Sequence, residues 1–128
     1  SLGRKLLTVR EIMHTGEDMP LLPAAALMSD VLVLMTGKSF GVAGIIEKNR
    51  LAGIITDGDL RRHMGPSLME KTAKQVMHPD PVVVNEDTLA VAALRLMQEN
   101  RITSLFVTKE EKPVGILNVH DCLRAGVE

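Results

Sequence analysis

The chain has 128 residues, a net charge of −1 and 45% apolar residues, enough for a core that buries roughly 60–70% of the surface its unfolded form exposes. So small a charge supplies no field for nucleic acid or an anionic membrane, and without Trp or Tyr, with only Phe40 and Phe106, there is no platform for unpaired bases. The lone Cys122 makes no internal disulfide and fits a reducing, cytoplasmic compartment, and no apolar run approaches the roughly 20 residues that span a bilayer.

In chain order, Ser1-Leu2-Gly3-Arg4 opens without an initiator Met and reads as part of a longer protein. After a short strand, Met28 to Met35 reads as a helix. Val31, Leu32, Val33, Leu34 and Met35 follow in a row, so it is expected to be buried on more than one side. Val42 to Glu47 and Leu51 to Thr56 read as strands joined by the turn Lys48-Asn49-Arg50, and a short helix follows Thr56. Gly65-Pro66-Ser67 breaks the chain and Leu68 to Gln75 restarts it. Pro81 to Val84 reads as a β-branched strand, and Asn85-Glu86-Asp87-Thr88 offers polar N-caps for a helix from Leu89 to Glu99. Leu89, Ala92, Ala93, Leu96 and Met97 form its expected apolar stripe, and Asn100 ends it. Leu105 to Thr108 and Pro113 to Leu117 form a hairpin across Lys109-Glu110-Glu111-Lys112, and a final helix follows Asn118.

The second half repeats the first. Gly53-Ile54-Ile55-Thr56-Asp57-Gly58-Asp59-Leu60-Arg61-Arg62 returns 62 residues later as Gly115-Ile116-Leu117-Asn118-Val119-His120-Asp121-Cys122-Leu123-Arg124. Thr8 to His14 returns as Thr72 to His78 at an offset of 64. The expected fold is α+β, two β-α-β-β-α units packed face to face about a pseudo-twofold axis, with residues 8–65 as the first repeat and 66–128 as the second.

Chemistry is expected where each last strand meets its last helix. Thr56 with Asp59, and Asn118 with Asp121, have the Ser/Thr/Asn-x-x-acid spacing. Such a pair caps a helix without any ligand. The same geometry offers free N–H groups to a phosphate and a carboxylate to vicinal sugar hydroxyls. Asn118 in place of Thr keeps the cap and weakens the phosphate end of the second turn. His14 and His78 are related by the repeat and are expected to line equivalent clefts, and Arg101, Thr103 and Ser104 are candidates for sugar or phosphate contacts beside the second. Arg61, Arg62 and Arg124 read as solvated, or as partners for phosphate or another chain. The four His lack metal-ligand spacing, and a helix start accounts for Asp57-Gly58-Asp59, so no metal site is expected. Cys122, His120 and Asp121 are adjacent on a helix and point apart, so no catalytic site is expected either.

These residues carry a resemblance. The doubled turn resembles the Gly-apolar-x-Thr/Ser-x-x-Asp signature of CBS domains, matched in full at Gly53 to Asp59 and, but for Asn118, at Gly115 to Asp121. Met13-His14 and Met77-His78-Pro79 resemble the start of each CBS repeat. The resemblance implies a regulatory pair (Bateman module) that binds adenosyl nucleotides or related ligands between its halves, requires no cofactor, and stacks as a homodimer through its helices. The whole run from Ser1 to Gly16, with Thr56 to Arg62 and His120 to Val127, is also similar to D-arabinose 5-phosphate isomerases. In that family a sugar-isomerase (SIS) domain precedes the CBS pair and interconverts ribulose 5-phosphate and arabinose 5-phosphate for the Kdo of lipopolysaccharide. This resemblance implies that residues 1–7 are the tail of that domain, that this stretch has no isomerase activity of its own, and that its effector is a nucleotide such as AMP or ATP, or CMP-Kdo. The alternative is an oligomerisation module with vestigial clefts.

Overall fold

The computed structural model describes residue 3 and residues 6–127, so Leu2 and Arg4, part of the expected tail of a preceding domain, lie outside the described residues. Two compact units form, Met19–Pro81, and Ser1–Asp18 together with Val82–Glu128. Each repeat thus contributes its leading segment to the unit built by the other.

In unit Met19–Pro81, β1 (Leu21–Pro23) leads through α1 (Met28–Lys38) to the hairpin of β2 (Val42–Glu47) and β3 (Arg50–Thr56), then α2 (Asp57–Arg62), α3 (Ala73–Val76) and the two-residue β4 (His78–Pro79). The sheet order is β1-β2-β3-β4, with β1 parallel to β2 and the other pairs antiparallel. The parallel pair needs a crossover, which α1 supplies. The other unit repeats the plan with β5 (Val83–Asn85), α4 (Ala90–Asn100), β6 (Ser104–Lys109), β7 (Lys112–Asn118) and α5 (Val119–Arg124) in a sheet of order β5-β6-β7. His14 bridges Ile116 of β7 just as His78 pairs with Ile54 of β3. Even the irregularities repeat: the hairpins shift register at Ile45/Ile46 and at Val107/Thr108. Both turn at two residues of positive φ, Lys48 and Asn49, then Glu110 and Glu111. That conformation matches the right-handed twist of the strands.

The leading segments also explain how α1 and α4 start. Their N-caps are Leu27 and Leu89, which have no side chain to offer. Backbone carbonyls serve instead, Lys71 O for the Met28 N–H at 2.9 Å and Leu7 O for the Ala90 N–H at 2.7 Å. The expected polar caps of α4 do other work: the Asn85 side chain accepts from the Asp87 N–H and the Thr88 hydroxyl, closing a turn ahead of the helix.

One core gathers Met28, Val31, Met35, Ile45, Ile55 and Val76, the other Val9, Leu94, Met97, Leu105, Leu117 and Cys122. The expected stripe of α4 is rotated: Ala90, Ala93, Leu94 and Met97 are buried, while Leu89 and Ala92 are exposed, because the helix begins one residue later and lays its i, i+3, i+4, i+7 face on the sheet. The expectation that α1 is buried on several sides is also corrected, since its sheet covers one face only and Val33 stands 74% exposed. Among the described residues, no helix is long and apolar enough to cross a membrane.

Gly53 and Gly115 are required by close approach. A Cβ on Gly53 would lie 2.6 Å from the His78 carbonyl and 2.8 Å from the Met77 sulfur, and one on Gly115 would run into the Met13 sulfur while standing 3.1 Å from the His14 carbonyl. Met is flexible and yields, whereas the backbone does not. Gly53→Ala is therefore expected to destabilise by about 1–3 kcal/mol and more than Gly115→Ala. Gly37→Ala, in open space on α1, is expected to stabilise by about 0.5–1 kcal/mol. Urea unfolding of the three variants measures the order.

Candidate functional site

The two strand-to-helix turns are capping boxes. At the start of α2, Thr56 Oγ accepts the Asp59 N–H at 3.3 Å, and Asp59 Oδ2 accepts the Thr56 N–H at 2.9 Å and its hydroxyl at 3.0 Å. At the start of α5, Asn118 Oδ1 accepts the His120 N–H and Asp121 Oδ2 accepts the Asn118 N–H, both at 2.8 Å. The two carboxylates are buried, 2% and 7% exposed.

Cationic or imidazole partners complete each carboxylate. His78 Nδ1 reaches Asp59 Oδ2 at 2.7 Å and Arg62 Nη2 reaches Asp59 Oδ1 at 2.5 Å. In the other unit His14 Nε2 and Arg124 Nη2 share Asp121 Oδ1 at 2.8 and 2.6 Å. Facing a carboxylate, the ring nitrogen carries the proton in each case, so the two His are held through different nitrogens. The Arg sits one helical turn after the Asp, the i, i+3 spacing at which side chains meet. That spacing is visible in the sequence and pairs Arg62 and Arg124 with acids of their own helices. No buried side-chain nitrogen or oxygen among the described residues is left without a partner.

The remaining candidates separate. Ser104 Oγ accepts the Asn118 amide at 3.0 Å and the Thr103 carbonyl accepts the Val119 N–H at 2.9 Å, so Thr103, Ser104, Asn118, Asp121 and His14 converge at the start of α5. Arg101 instead closes α4 as its left-handed C-cap at φ 55° and is exposed. Among the described residues no group of three or more His, Cys, Asp and Glu is arranged to hold a metal. Cys122 is fully buried, and burial, with the Asp121 charge adding to it, pushes its thiol up to about 11. It is expected to resist thiol reagents at pH 8 until the protein unfolds, which labelling with and without denaturant measures.

Burial pushes the Asp59 carboxyl up, but hydrogen bonds from the Thr56 backbone, Arg62, His78 and the Thr56 hydroxyl outweigh it and hold the group below the usual carboxylate value. A carboxyl lowered on folding adds stability that is complete above its unfolded value near about 3.9 and is lost as pH falls through the folded value. Asp59→Asn is expected to cost about 1–2 kcal/mol at pH 7 and to flatten this acid limb, read as Tm against pH.

The CBS-domain family model matches residues 9–65 and 73–128. The arabinose 5-phosphate isomerase KdsD of Escherichia coli (strain K12) is 44% identical over 99% of this chain, and its counterpart in Pseudomonas aeruginosa is 41% identical over the same share. The chain spans 40% of the length of each. Among solved structures, CBSX2 in complex with AMP, a CBS-pair protein of Arabidopsis thaliana, matches with TM-score 0.80 and 26% identity, over 94% of this chain and 96% of that one. The acetoin utilization protein AcuB described for Vibrio cholerae matches with TM-score 0.83 and 23% identity over 94% and 90% of the two chains, a likeness of fold. With both repeats matched by the model and the same α+β plan in solved CBS pairs, the chain belongs to the CBS-domain family, as a tandem pair.

Proposed function

We propose that this CBS pair is the ligand-sensing regulatory part of an arabinose 5-phosphate isomerase and that it binds a nucleotide or nucleotide sugar at its helix-start turns. The observation that carries the reading is the 44% identity to KdsD along 99% of the chain. In the parent protein an SIS domain would interconvert ribulose 5-phosphate and arabinose 5-phosphate in the cytoplasm, supplying Kdo for lipopolysaccharide, and the CBS pair would adjust that activity. AMP, ATP and CMP-Kdo are the ligands to try first. AMP is bound by CBSX2, 26% identical to this chain, and CMP-Kdo is an end product of the pathway proposed here. Thr56, Asp59 and His78 frame one site, and Asn118, Asp121, His14, Thr103 and Ser104 the other.

A second reading has its own observation. Each oxygen of both buried carboxylates already accepts a hydrogen bond from the chain, and Val33, Met64 and Leu123 stand 74%, 71% and 55% exposed. On this reading the pair is an oligomerisation module, a homodimer through its helices, and its sites are vestigial.

Thermal-shift titration of AMP, ADP, ATP, CMP and CMP-Kdo separates the two. A ligand at a hundredfold excess over its Kd adds about 2.7 kcal/mol to stability and raises Tm. Asp59→Ala is expected to weaken the effect more than Asp121→Ala, because only the first turn keeps its Thr. Flat curves with all five ligands would leave the oligomerisation reading.

A further inference from the structure

The methionines fall into three classes of accessibility. Met28, Met35 and Met97 are buried in the two cores, Met64 and Met69 are exposed, and Met13, Met19 and Met77 lie between. Two of the intermediate three hold the same post. Met13 and Met77 occupy equivalent positions of the two leading segments, and each lays its thioether on the glycine of the last strand of its unit. A Cβ on Gly53 would lie 2.8 Å from the Met77 sulfur and 3.1 Å from its Cγ, and one on Gly115 would lie 2.8 Å from the Met13 Cγ and run into its sulfur. Each sulfur therefore takes the volume that a side chain on the strand would fill. Both Met also pack against the core of their own unit.

These two sulfurs hold down more than their own packing. Met77 is followed by His78, which reaches Asp59, and Met13 by His14, which reaches Asp121. Upstream on the same segments stand Lys71 and Leu7, whose carbonyls accept the Met28 N–H at the start of α1 and the Ala90 N–H at the start of α4. A partly exposed thioether is reachable by a small oxidant, and its sulfoxide is a polar group that needs room and hydrogen-bond partners. On the strand side there is no room, since a single added carbon already meets the sulfur. Relief lies in the side chain leaving the glycine.

We propose that Met13 and Met77, seated on Gly115 and Gly53, form a paired oxidation site at which a hydroperoxide makes the sulfoxide and so unseats the leading segment of each unit. With hydrogen peroxide the sulfur gives up two electrons and bonds one oxygen, the O–O bond breaks, and the other oxygen leaves with both hydrogens as water. Undocking frees the two helix starts and withdraws an imidazole from each buried carboxylate. No ligand takes part, so the site stands under either reading of function.

Hydrogen peroxide is the probe, added to the 128-residue chain. Peptide mapping places each added oxygen, and hydrogen exchange by NMR follows the Met28 and Ala90 amides. Met64 and Met69 are expected to oxidise first without a change in Tm, Met13 and Met77 next, and the buried three last. Oxidation at Met77 is expected to speed exchange of the Met28 amide on the order of tenfold, oxidation at Met13 to do the same for Ala90, and Tm to fall by roughly 5 °C. Met77→Leu, close in volume, should abolish the change at Met28 and keep that at Ala90. Met13→Leu should do the reverse, and Met19→Leu should respond like the parent chain. The Tm of each variant before peroxide checks its folding. Methionine sulfoxide reductases A and B, applied to the oxidised parent chain, should restore both amides, a test that needs no variant. The proposal is overturned if Met13 and Met77 resist as long as Met28 and Met97, or if their oxidation leaves both amides unchanged. It is also overturned if the Leu variants lose as much protection as the parent, or if reduction of the sulfoxides brings no recovery.

Discussion

A carboxylate taken out of water costs several kcal/mol unless donors surround it, and in both units the surrounding is done by pieces brought from different stretches of sequence. Asp59 is held by its own cap, by Arg62 a turn later and by His78 from the segment that starts the second repeat. Asp121 is held in the same way by Arg124 and by His14, far back in the chain. The His arrives because its neighbour, Met77 or Met13, crosses a glycine in the last strand, and because the same leading segment supplies the carbonyl that starts the long helix. Strand, helix start and buried charge are thus three contacts of one docked segment. The glycine of the doubled motif serves this docking.

The repeat was legible because its marks are local and chemical. Gly-apolar-x-Thr-x-x-Asp, the hairpin turns and the alternating apolar residues all state their own conformation, and the strands and helices lie within a residue or three of where the pattern puts them. The caps at Asn85 to Thr88 and the stripe of α4 were misread for one reason: the helix takes its first hydrogen bond from Leu7, over eighty residues earlier, and no local pattern announces that. The apolar run of α1 overstated burial since a hydrophobic residue at any exposure is written with the same letter; Val33 differs from Val31 only in which side of the helix the sheet occupies. At the site, the types of residue were readable and the pairing was not. His14 and His78 were recognised as equivalent through the repeat, but that each serves the carboxylate of the other repeat follows only from the exchange of leading segments.

The two copies are chemically unequal in ways that the shared plan makes exact to compare. Replacing Thr56 by Asn at 118 exchanges a hydroxyl bonded to its own carboxylate for an amide that reaches Ser104 on the neighbouring strand. Where Gly58 lies beside the Arg62 guanidinium, the second repeat carries His120. One turn is closed on its own carboxylate, and the other is tied laterally into its sheet. The copies differ at the residues around the carboxylate and share the carboxylate itself.

The units also differ in how the chain must assemble them. Met19–Pro81 is one continuous stretch, so all of its partners are present once its last residue has been made. The other unit waits for Val82–Glu128 to meet the segment before Asp18, and the loop it closes contains the whole of the first unit. Closing a loop of that length costs entropy that only late, long-range contacts repay. During synthesis from the N-terminus, Val9, which ends fully buried, has to remain exposed until the strand that covers it emerges, and the continuous unit Met19–Pro81 is the one able to fold first.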